Sequence, residues 1–370
     1  MLLVGKKIKI ITCHDVYNAG ASLQAYALQK YLLNLGNDVK TIDYKPDYLS
    51  QHYYLWNINP RFSNHLFTKI IYLLIKVPKR VLKRFSKRKR MYDQFKKRYL
   101  RITKCYKSNE QLKRNLPQAD IYIAGSDQIW NPLFENGKDP AFYLDFVPND
   151  KMKVSYAASL SVEEIPEENK AFVRSSLLTF DYVSVREKSA VELLESIGIK
   201  NVINVLDPVF LLDKQEWEDL CKKESESYVL VYDFDKSEEI KETAKMIANE
   251  KRAKIYSVLS CDYADKIFEK FGPKEFVSLI YNAECVISNS FHATAFSIIL
   301  QKDFYVFNRS WKINTRMRDL VAAFGLRERL IEKKPNKLDK INWQQIDKIY
   351  NEKVKKSKEF IDKFLKGQAL

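Results

Sequence analysis

Two patterns of apolar and polar positions alternate along this chain. Short apolar runs rich in β-branched residues, such as residues 7–12 and 228–232, are typical of buried strands. The segments that follow them, such as residues 21–35 and 237–250, carry apolar residues every three or four positions, as amphipathic helices do. Further strands are predicted at residues 38–44, 120–124, 152–158, 181–185, 201–205, 254–259, 286–287 and 303–308.

Strand and helix alternate in both halves of the chain. This order predicts an α/β protein with two Rossmann-like, doubly wound domains that face each other across a central cleft. The pattern is interrupted at Asp207-Pro208, so we expect an N-terminal domain at residues 1–206 and a C-terminal domain at 207–341. Residues 65–104 form a basic helical insertion in the first domain, with a helix break at Pro78. Residues 342–370 are predicted to form a helix that packs back on the first domain.

Composition narrows the class of protein. The chain has 370 residues, 46% of them hydrophobic, which is enough for two domains with sizeable cores. Its five cysteines are scattered and lack CxxC spacing, which argues against a disulfide framework or a zinc site and suits a reducing compartment. No convincing secretion signal and no apolar run long enough to cross a bilayer are seen. We therefore expect a cytoplasmic protein, with attachment to the inner face of the membrane as a further expectation.

The charge is concentrated in one stretch. Of a formal net charge of +16, most comes from residues 76–104, which hold fourteen Lys or Arg residues and one acid, Asp93. Apolar and aromatic residues interleave with these charges, as in helices that lie on anionic lipid. A solvated insertion whose apolar stripe packs on its own domain explains the pattern about as well. Nucleic acid is a weaker third candidate, and no nucleic acid partner is expected.

Residues 283–300 carry the most informative break in the second domain. A buried strand ends at Ser288-Asn289-Ser290, and a strongly apolar helix starts with His292. The free N–H groups and the dipole of a helix amino end favour an anion at such a corner. A structural histidine in a capped helix is the alternative, and on the local sequence it is slightly favoured.

Other polar breaks fall at equivalent strand ends. Arg186 is suited to clamp a carboxylate or phosphate, or else forms a surface salt bridge with Glu187 or Asp181. Asp127 is suited to accept a hydroxyl proton, or else caps a turn. If both domains are doubly wound, these breaks line one cleft at 18–20, 125–131, 186 and 290–292, with Arg316 and Arg318 as further candidates. No metal-binding cluster, dinucleotide GxGxxG or Walker loop is present, so no metal or cofactor is expected.

The ordered set of motifs resembles the polysaccharide pyruvyl transferase family. It comprises NAGASLQAYALQKYL, GSDQIWN, YAASLS, VSVRE-x-S, LDPVFLL and ISNSFHATAFSIIL, between about Ile8 and Arg329. The resemblance implies a glycosyltransferase-B-like pair of Rossmann domains. It also implies transfer of a pyruvyl group from phosphoenolpyruvate, the donor substrate, to sugar hydroxyls as a ketal, with release of phosphate.

The resemblance also assigns residues. Arg186 matches the family arginine thought to hold the donor, and His292 matches the histidine implicated in catalysis. Family members often carry Arg-Leu-His where this chain has Ser290-Phe291-His292, so one donor anchor is missing here. Arg316 and Arg318 are the first candidates to replace it, with Lys302 or Arg309 as others. The expected catalytic residues are thus His292 and Asp127, and the expected substrate-binding residues are Arg186, Ser290, Asn18, Gly20, Ser126, Gln128, Arg316 and Arg318.

Three functions follow from these residues. The first is a pyruvyl transferase acting on a cell-surface polysaccharide or its lipid-linked precursor, with a sugar or lipid-linked oligosaccharide as acceptor. The second is a glycosyltransferase of the same fold that uses a nucleotide sugar. The third is a non-enzymatic module that binds a membrane or another polyanion, which the missing arginine favours.

Overall fold

The first domain is built on a parallel sheet. The computed structural model describes residues 5–49, 66–310, 314–335 and 339–369. Strand order is β3-β2-β1-β4-β5, so the chain winds outward in both directions from β1. Two short parallel strands, β6 (Val183–Val185) and β7 (Val202–Asn204), extend this sheet through bridges from Val154 to Tyr182 and from Ala158 to Val185. The five central strands are β1 (Lys7–Ile11), β2 (Asp38–Tyr44), β3 (Ile102–Tyr106), β4 (Ile121–Ala124) and β5 (Met152–Ser155).

Six helices belong to the first domain as the structure describes it. They are α1 (Ala19–Asn34), α2 (Leu66–Arg84), α3 (Lys87–Tyr99), α4 (Asn109–Arg114), α5 (Glu167–Leu177) and α6 (Lys188–Ser196).

The second domain repeats the plan with a parallel sheet of order β10-β9-β8-β11-β12-β13. Its strands are β8 (Tyr228–Tyr232), β9 (Lys254–Ser257), β10 (Lys266–Ile267), β11 (Cys285–Ser288), β12 (Phe304–Phe307) and β13 (Leu330–Ile331). Its helices are α7 (Lys214–Glu218), α8 (Glu238–Lys251), α9 (Pro273–Asn282), α10 (Phe291–Ile299) and α11 (Thr315–Ala323). The chain ends in α12 (Trp343–Lys366).

Helix α1 joins the two domains through one hydrophobic core. Ala19, Leu23 and Tyr26 share a buried cluster with residues of α9 and α10. The Tyr26 ring makes an edge contact with Trp217 of α7, with ring centroids 5.8 Å apart. Leu28 and Leu32, on the other side of α1, pack against β1 and β2. Because both sides are covered, α1 is buried along most of its length, and its amino end is held between the domains.

Helix α12 contacts both domains in turn. In its first half, the Tyr350 ring makes tilted contacts with Phe210 and Phe324 in the second-domain core. Near its end, Phe360 and Phe364 are buried in the first-domain core. Between them, Ser357 Oγ accepts a hydrogen bond of 2.9 Å from the backbone N–H of Leu206.

The expected helix break at Pro78 is wrong, because α2 runs through Pro78 to Arg84. The break falls at Ser86, whose side chain accepts a hydrogen bond from Lys89 N and caps α3. The segment is thus divided where Ser86 caps the start of α3, while α2 accommodates Pro78 within its length.

The two helices of the basic segment differ in environment. Helix α3 is docked on its own domain: Tyr92 and Phe95 are buried, and Lys96 Nζ lies 2.9 Å from Asp15 Oδ1. Helix α2 instead leaves an apolar face exposed to solvent, where Phe67 is 75% and Leu74 is 70% exposed. The other exposed apolar residues of this face are Ile70, Ile71, Ile75, Val81 and the following Phe85.

Candidate active site

A cavity of about 290 Å³ lies between the domains, beyond the carboxyl ends of β1, β4, β8 and β11. The amino-terminal turns of α1 and α10 both border it, which places two helix dipoles beside one space. Phe234, Phe276 and Phe291 form apolar walls. Its lining also includes Gly20 and the polar residues Asn18, Asp127, Gln128, Ser290, His292, Arg309 and Arg316. The cavity, which will be called the His292 cavity, thus collects most of the residues predicted from the sequence.

His292 is buried in the first turn of α10. Ser290 caps this helix by accepting a hydrogen bond from Ala293 N, so the imidazole stands one residue inside the helix start. The ring packs against Gly20 of α1, and a β-carbon at position 20 would overlap it. His292 Nε2 has no hydrogen-bond partner in the part of the chain that the structure describes. The second domain therefore supplies the imidazole, and Gly20 of the first domain leaves room for the ring because it has no side chain.

The surroundings of His292 favour its neutral form. Burial lowers the pKa of the imidazole below its ordinary value, and the guanidinium groups of Arg186 and Arg316 lower it further. The carboxylates of Asp207 and Asp127 act in the opposite direction without overcoming the burial. A neutral imidazole can accept a proton, and an anion bound beside it would favour its protonated form.

Asp207 is a buried carboxylate that connects several of the predicted residues. Its Oδ2 accepts hydrogen bonds of 2.7 Å from Arg186 Nη1 and 3.0 Å from Ser126 Oγ. The same oxygen lies 3.8 Å from His292 Nε2. Ser126 is fully buried and does not border the His292 cavity. Its connection to the site is the hydrogen bond that it donates to Asp207.

The sequence-based prediction missed Asp207. It lies in the motif LDPVFLL, which carried the family resemblance, but the residue was interpreted only as a domain boundary. Two features could have identified Asp207 as a site residue. It is an acid that closely follows the predicted strand at residues 201–205, and it lies in one of the family motifs.

Arg186 is deeply buried, unlike the surface salt bridge that was the alternative interpretation. It pairs with Asp207 and, through Nε, with Glu187 Oε1 at 3.3 Å. Its guanidinium lies over the Phe291 ring, 4.0 Å from the ring centroid. Arg186 borders a second cavity on the other side of Phe291, and not the His292 cavity.

Three residues that line the His292 cavity also make local hydrogen bonds: Asp127, Gln128 and Asn18. Asp127 has a left-handed backbone, with φ of 71°, and its Oδ1 accepts a 2.9 Å hydrogen bond from Gln128 N, as in a turn cap. Its side chain nevertheless borders the cavity. Gln128 Oε1 accepts from Asn131 Nδ2 at 2.9 Å. Asn18 caps α1 by accepting from Ala21 N at 3.2 Å. Capping and ligand binding are therefore compatible at these positions.

Two of the arginines proposed to replace the missing donor-binding arginine, Arg316 and Arg309, border the His292 cavity. Arg316 is buried, and burial together with the nearby Arg186 lowers its pKa to about 10. Among the described residues, Arg316 has no hydrogen-bond or ion-pair partner, and its Nε is buried and unpaired. Arg309 borders the same cavity, with its guanidinium 4.5 Å from the Phe234 ring centroid.

The other two candidates for this anchor lie outside the cavity. Arg318 is half exposed and pairs with Glu163 at 3.3 Å. Lys302 lies over the ring of Tyr281, on the far side of α10. Within the described ranges, no group of three or more His, Cys, Asp or Glu side chains is arranged to hold a metal ion. The His292 cavity thus presents an imidazole, a carboxylate and two guanidinium groups, a set suited to acid–base chemistry on an anionic molecule.

Solved structures resemble this chain in fold. A protein assigned as a UDP-N-acetylglucosamine 2-epimerase from Listeria monocytogenes superposes with a TM-score of 0.50 at 11% identity, covering 98% of this chain and 91% of that one. Arabidopsis thaliana UGT89C1, solved with UDP-L-rhamnose, gives a TM-score of 0.47 at 11% identity, covering 99% of each chain. No curated protein sequence matches the chain. The predicted α/β architecture, with two Rossmann-like domains in a glycosyltransferase-B-like arrangement, is confirmed.

The sequence profile of one family covers most of the chain. It matches residues 18–310, a range that contains His292, Asp207, Arg186 and Asp127. This match agrees with the motifs from which the resemblance was drawn. The chain belongs to the polysaccharide pyruvyl transferase family.

Proposed function

We propose that this protein transfers a pyruvyl group from phosphoenolpyruvate to two hydroxyls of a sugar, forming a pyruvate ketal on a cell-surface polysaccharide or its lipid-linked precursor. Beyond membership of the family, one observation supports the proposal. His292, in the first turn of α10, and the unpaired Arg316, in the first turn of α11, border the same cavity. Phosphoenolpyruvate brings a phosphate and a carboxylate, which need positive charge and N–H donors. The reaction requires no metal or redox cofactor.

The donor is held by the positive side of the cavity. Arg316 supplies a guanidinium with no competing carboxylate partner among the described residues. Arg309, which pairs with Asp235 at 3.5 Å, adds a second guanidinium. The first turns of α1 and α10 add backbone donors. The bound dianion favours protonation of His292, so donor binding converts the neutral imidazole into a general acid.

The reaction then proceeds with balanced proton transfers. His292 gives its proton to the methylene carbon of phosphoenolpyruvate, and the neighbouring carbon gains positive charge. One sugar hydroxyl adds to that carbon while its proton passes to the Asp127 carboxylate. The bond to phosphate breaks, the second hydroxyl oxygen closes the ketal, and its proton leaves with phosphate. The Asp127 proton returns to His292 and completes the cycle.

The test is direct detection of the ketal. The full chain is incubated with phosphoenolpyruvate and a panel of sugar acceptors, and mass spectrometry is read for the mass gain of a pyruvate ketal with release of phosphate. A folded protein that forms no ketal with any acceptor and is stabilised by nucleotide sugars, but not by phosphoenolpyruvate, contradicts the proposal and favours a glycosyltransferase.

The proposal also includes attachment to a membrane, because a lipid-linked acceptor would lie at the membrane surface. The exposed apolar face of α2 suits a helix lying in an anionic membrane surface, and the sequence of this segment is basic at positions 76, 79, 80 and 83. No helix in the described part of the chain is long and apolar enough to cross a bilayer. The protein would work on a lipid-linked sugar at the cytoplasmic face of the membrane.

A further inference from the structure

A second cavity of about 310 Å³ lies beside the first, on the other side of Phe291 and Arg316. It is enclosed by the ends of β6 and β7, by α11 and by the middle of α12, so both domains and the C-terminal helix contribute to it. Arg186 and Arg316 were predicted as site residues, but Lys353 and Lys356 lie in the C-terminal helical segment, where no site was predicted. We refer to it as the α12 cavity.

The lining of the α12 cavity is strongly basic. Two arginines, Arg186 and Arg316, are buried, while Lys188, Arg327 and Lys356 are exposed and Lys353 is half-buried. Among the described residues, two acids line the cavity with these six cations, and Glu187 and Glu352 pair with two of the cations, Arg186 and Lys356, from outside its lining. Asp207 is already paired with Arg186, and Asp319 accepts a 2.8 Å hydrogen bond from Ser189 N and lies 3.5 Å from Arg318 Nε. Of the lysines, Lys356 pairs with Glu352 at 2.8 Å.

The buried arginines have unused donors. The Arg186 side chain is only 2% exposed, yet its Nη2 has no hydrogen-bond partner in the described chain. The same holds for Nε of Arg316. Buried donors without partners cost free energy, and two guanidinium groups near each other repel. A bound anion would satisfy the donors and offset the repulsion.

The charge distribution indicates the size of that anion. A single phosphate or carboxylate would engage the two buried arginines and leave the outer cations unused. A group with two linked phosphates would bring a second phosphate to the outer cations of the same cavity, which include Lys353 and Lys356. We propose that the α12 cavity binds a diphosphate, the group that an activated sugar acceptor carries on a lipid or a nucleotide. The link to an acceptor rests on the proposed function, whereas the anion site itself does not.

Calorimetric titration of the full chain with inorganic pyrophosphate tests the site. We expect binding that is at least about tenfold weaker in the Lys353→Gln, Lys356→Gln double variant, because two of the six cations are lost. The matched control is Lys348→Gln with Lys366→Gln, two exposed lysines of the same helix outside the cavity. Both variants are checked for an unchanged melting temperature. No binding by the wild type, or equal binding by both double variants, overturns the proposal.

Competition separates this site from the donor site. Because Arg316 borders both cavities, phosphoenolpyruvate should weaken pyrophosphate binding without abolishing it. Complete displacement at stoichiometric concentration would show that the α12 cavity is the donor site and overturn the inference. Titrations with UDP and with farnesyl diphosphate distinguish a nucleotide from a lipid as the source of the diphosphate; binding of either supports the site. A protein that forms ketals without binding pyrophosphate refutes the inference alone. One that binds pyrophosphate but forms no ketal refutes the proposed function alone.

Discussion

At the residue scale, the His292 imidazole is the group on which the proposed chemistry depends. Replacing it by alanine should lower the turnover number for ketal formation by about 100-fold or more, the usual contribution of a general acid–base group. Steady-state rates with phosphoenolpyruvate and the best acceptor measure the change. Thermal stabilisation by phosphoenolpyruvate should persist, since Arg316 and Arg309 remain. Full activity in a folded His292→Ala protein would remove His292 from the mechanism.

Gly20 gives a second residue-scale prediction. A methyl group at this position overlaps the His292 ring, so Gly20→Ala should displace the imidazole and reduce turnover by about tenfold or more, because misplacement of reacting groups is costly. Gly36→Ala, at a turn where a β-carbon meets no atom, serves as a control for glycine replacement, with its cost limited to its positive φ. Equal activities in the two variants would contradict the role of this contact.

Asp207 is expected to matter for stability as well as for activity. Asp207→Ala removes one of the two buried carboxylates that pair with Arg186 and leaves Glu187, so it should lower the free energy of unfolding by about 1.5–3 kcal/mol, the usual contribution of a hydrogen bond to a charged group. Urea unfolding measures this loss. Asp213→Ala, whose side chain is 82% exposed, is the control and should change stability little. A loss below about 1 kcal/mol would show that Arg186 finds another partner.

At the element scale, the structure separates two helices that the sequence presented as one basic segment. Deleting residues 76–104 would remove Tyr92 and Phe95 from the core, so loss of membrane binding after that deletion could not be told from unfolding. Phe67→Ser, Leu74→Ser and Phe85→Ser together change only the exposed face of α2. This triple variant should lose sedimentation with phosphatidylglycerol vesicles but keep activity on a soluble acceptor. Retained vesicle binding would assign the face another role.

The sequence predicted the central elements better than the edges. Strands β4, β8 and β11 are nearly continuous apolar runs because both of their faces are covered, and β1 (KIKII) is rich in β-branched residues, so these four strands could be predicted. Strand β3 and the two-residue strands β10 and β13 lie at or near sheet edges, with mixed exposure and little pattern, and they were not predicted. The predicted site residues near strand ends were mostly brought together. The contact of Asp207 with Arg186 and Ser126 joins segments 21 and 81 residues apart, which local patterns do not record.

At the scale of the whole molecule, the buried His292 makes stability depend on pH. Its pKa is lowered in the folded state, so below the ordinary histidine value of 6.5 the unfolded chain binds more protons than the folded one. The contribution to stability is complete above pH 6.5 and decreases as the pH falls below it, by at most about 1.4 kcal/mol per pH unit for one proton. Unfolding free energies at pH 7 and pH 5 should therefore differ less in His292→Gln than in the wild type. An identical difference in both proteins would mean that the imidazole titrates normally.

The two chain crossings between the domains lie side by side. The chain first passes between them at residues 205–212, whose side chains enter both cores, and it returns along α12. The hydrogen bond from Leu206 to Ser357 ties the two passages together. Two crossings that lie together would oppose sliding or separation of the domains more than rotation about one axis. Leu206, Asp207 and Ser357 also border the α12 cavity, so an occupant of that cavity would sit at the pivot and set the angle at which Gly20 meets His292.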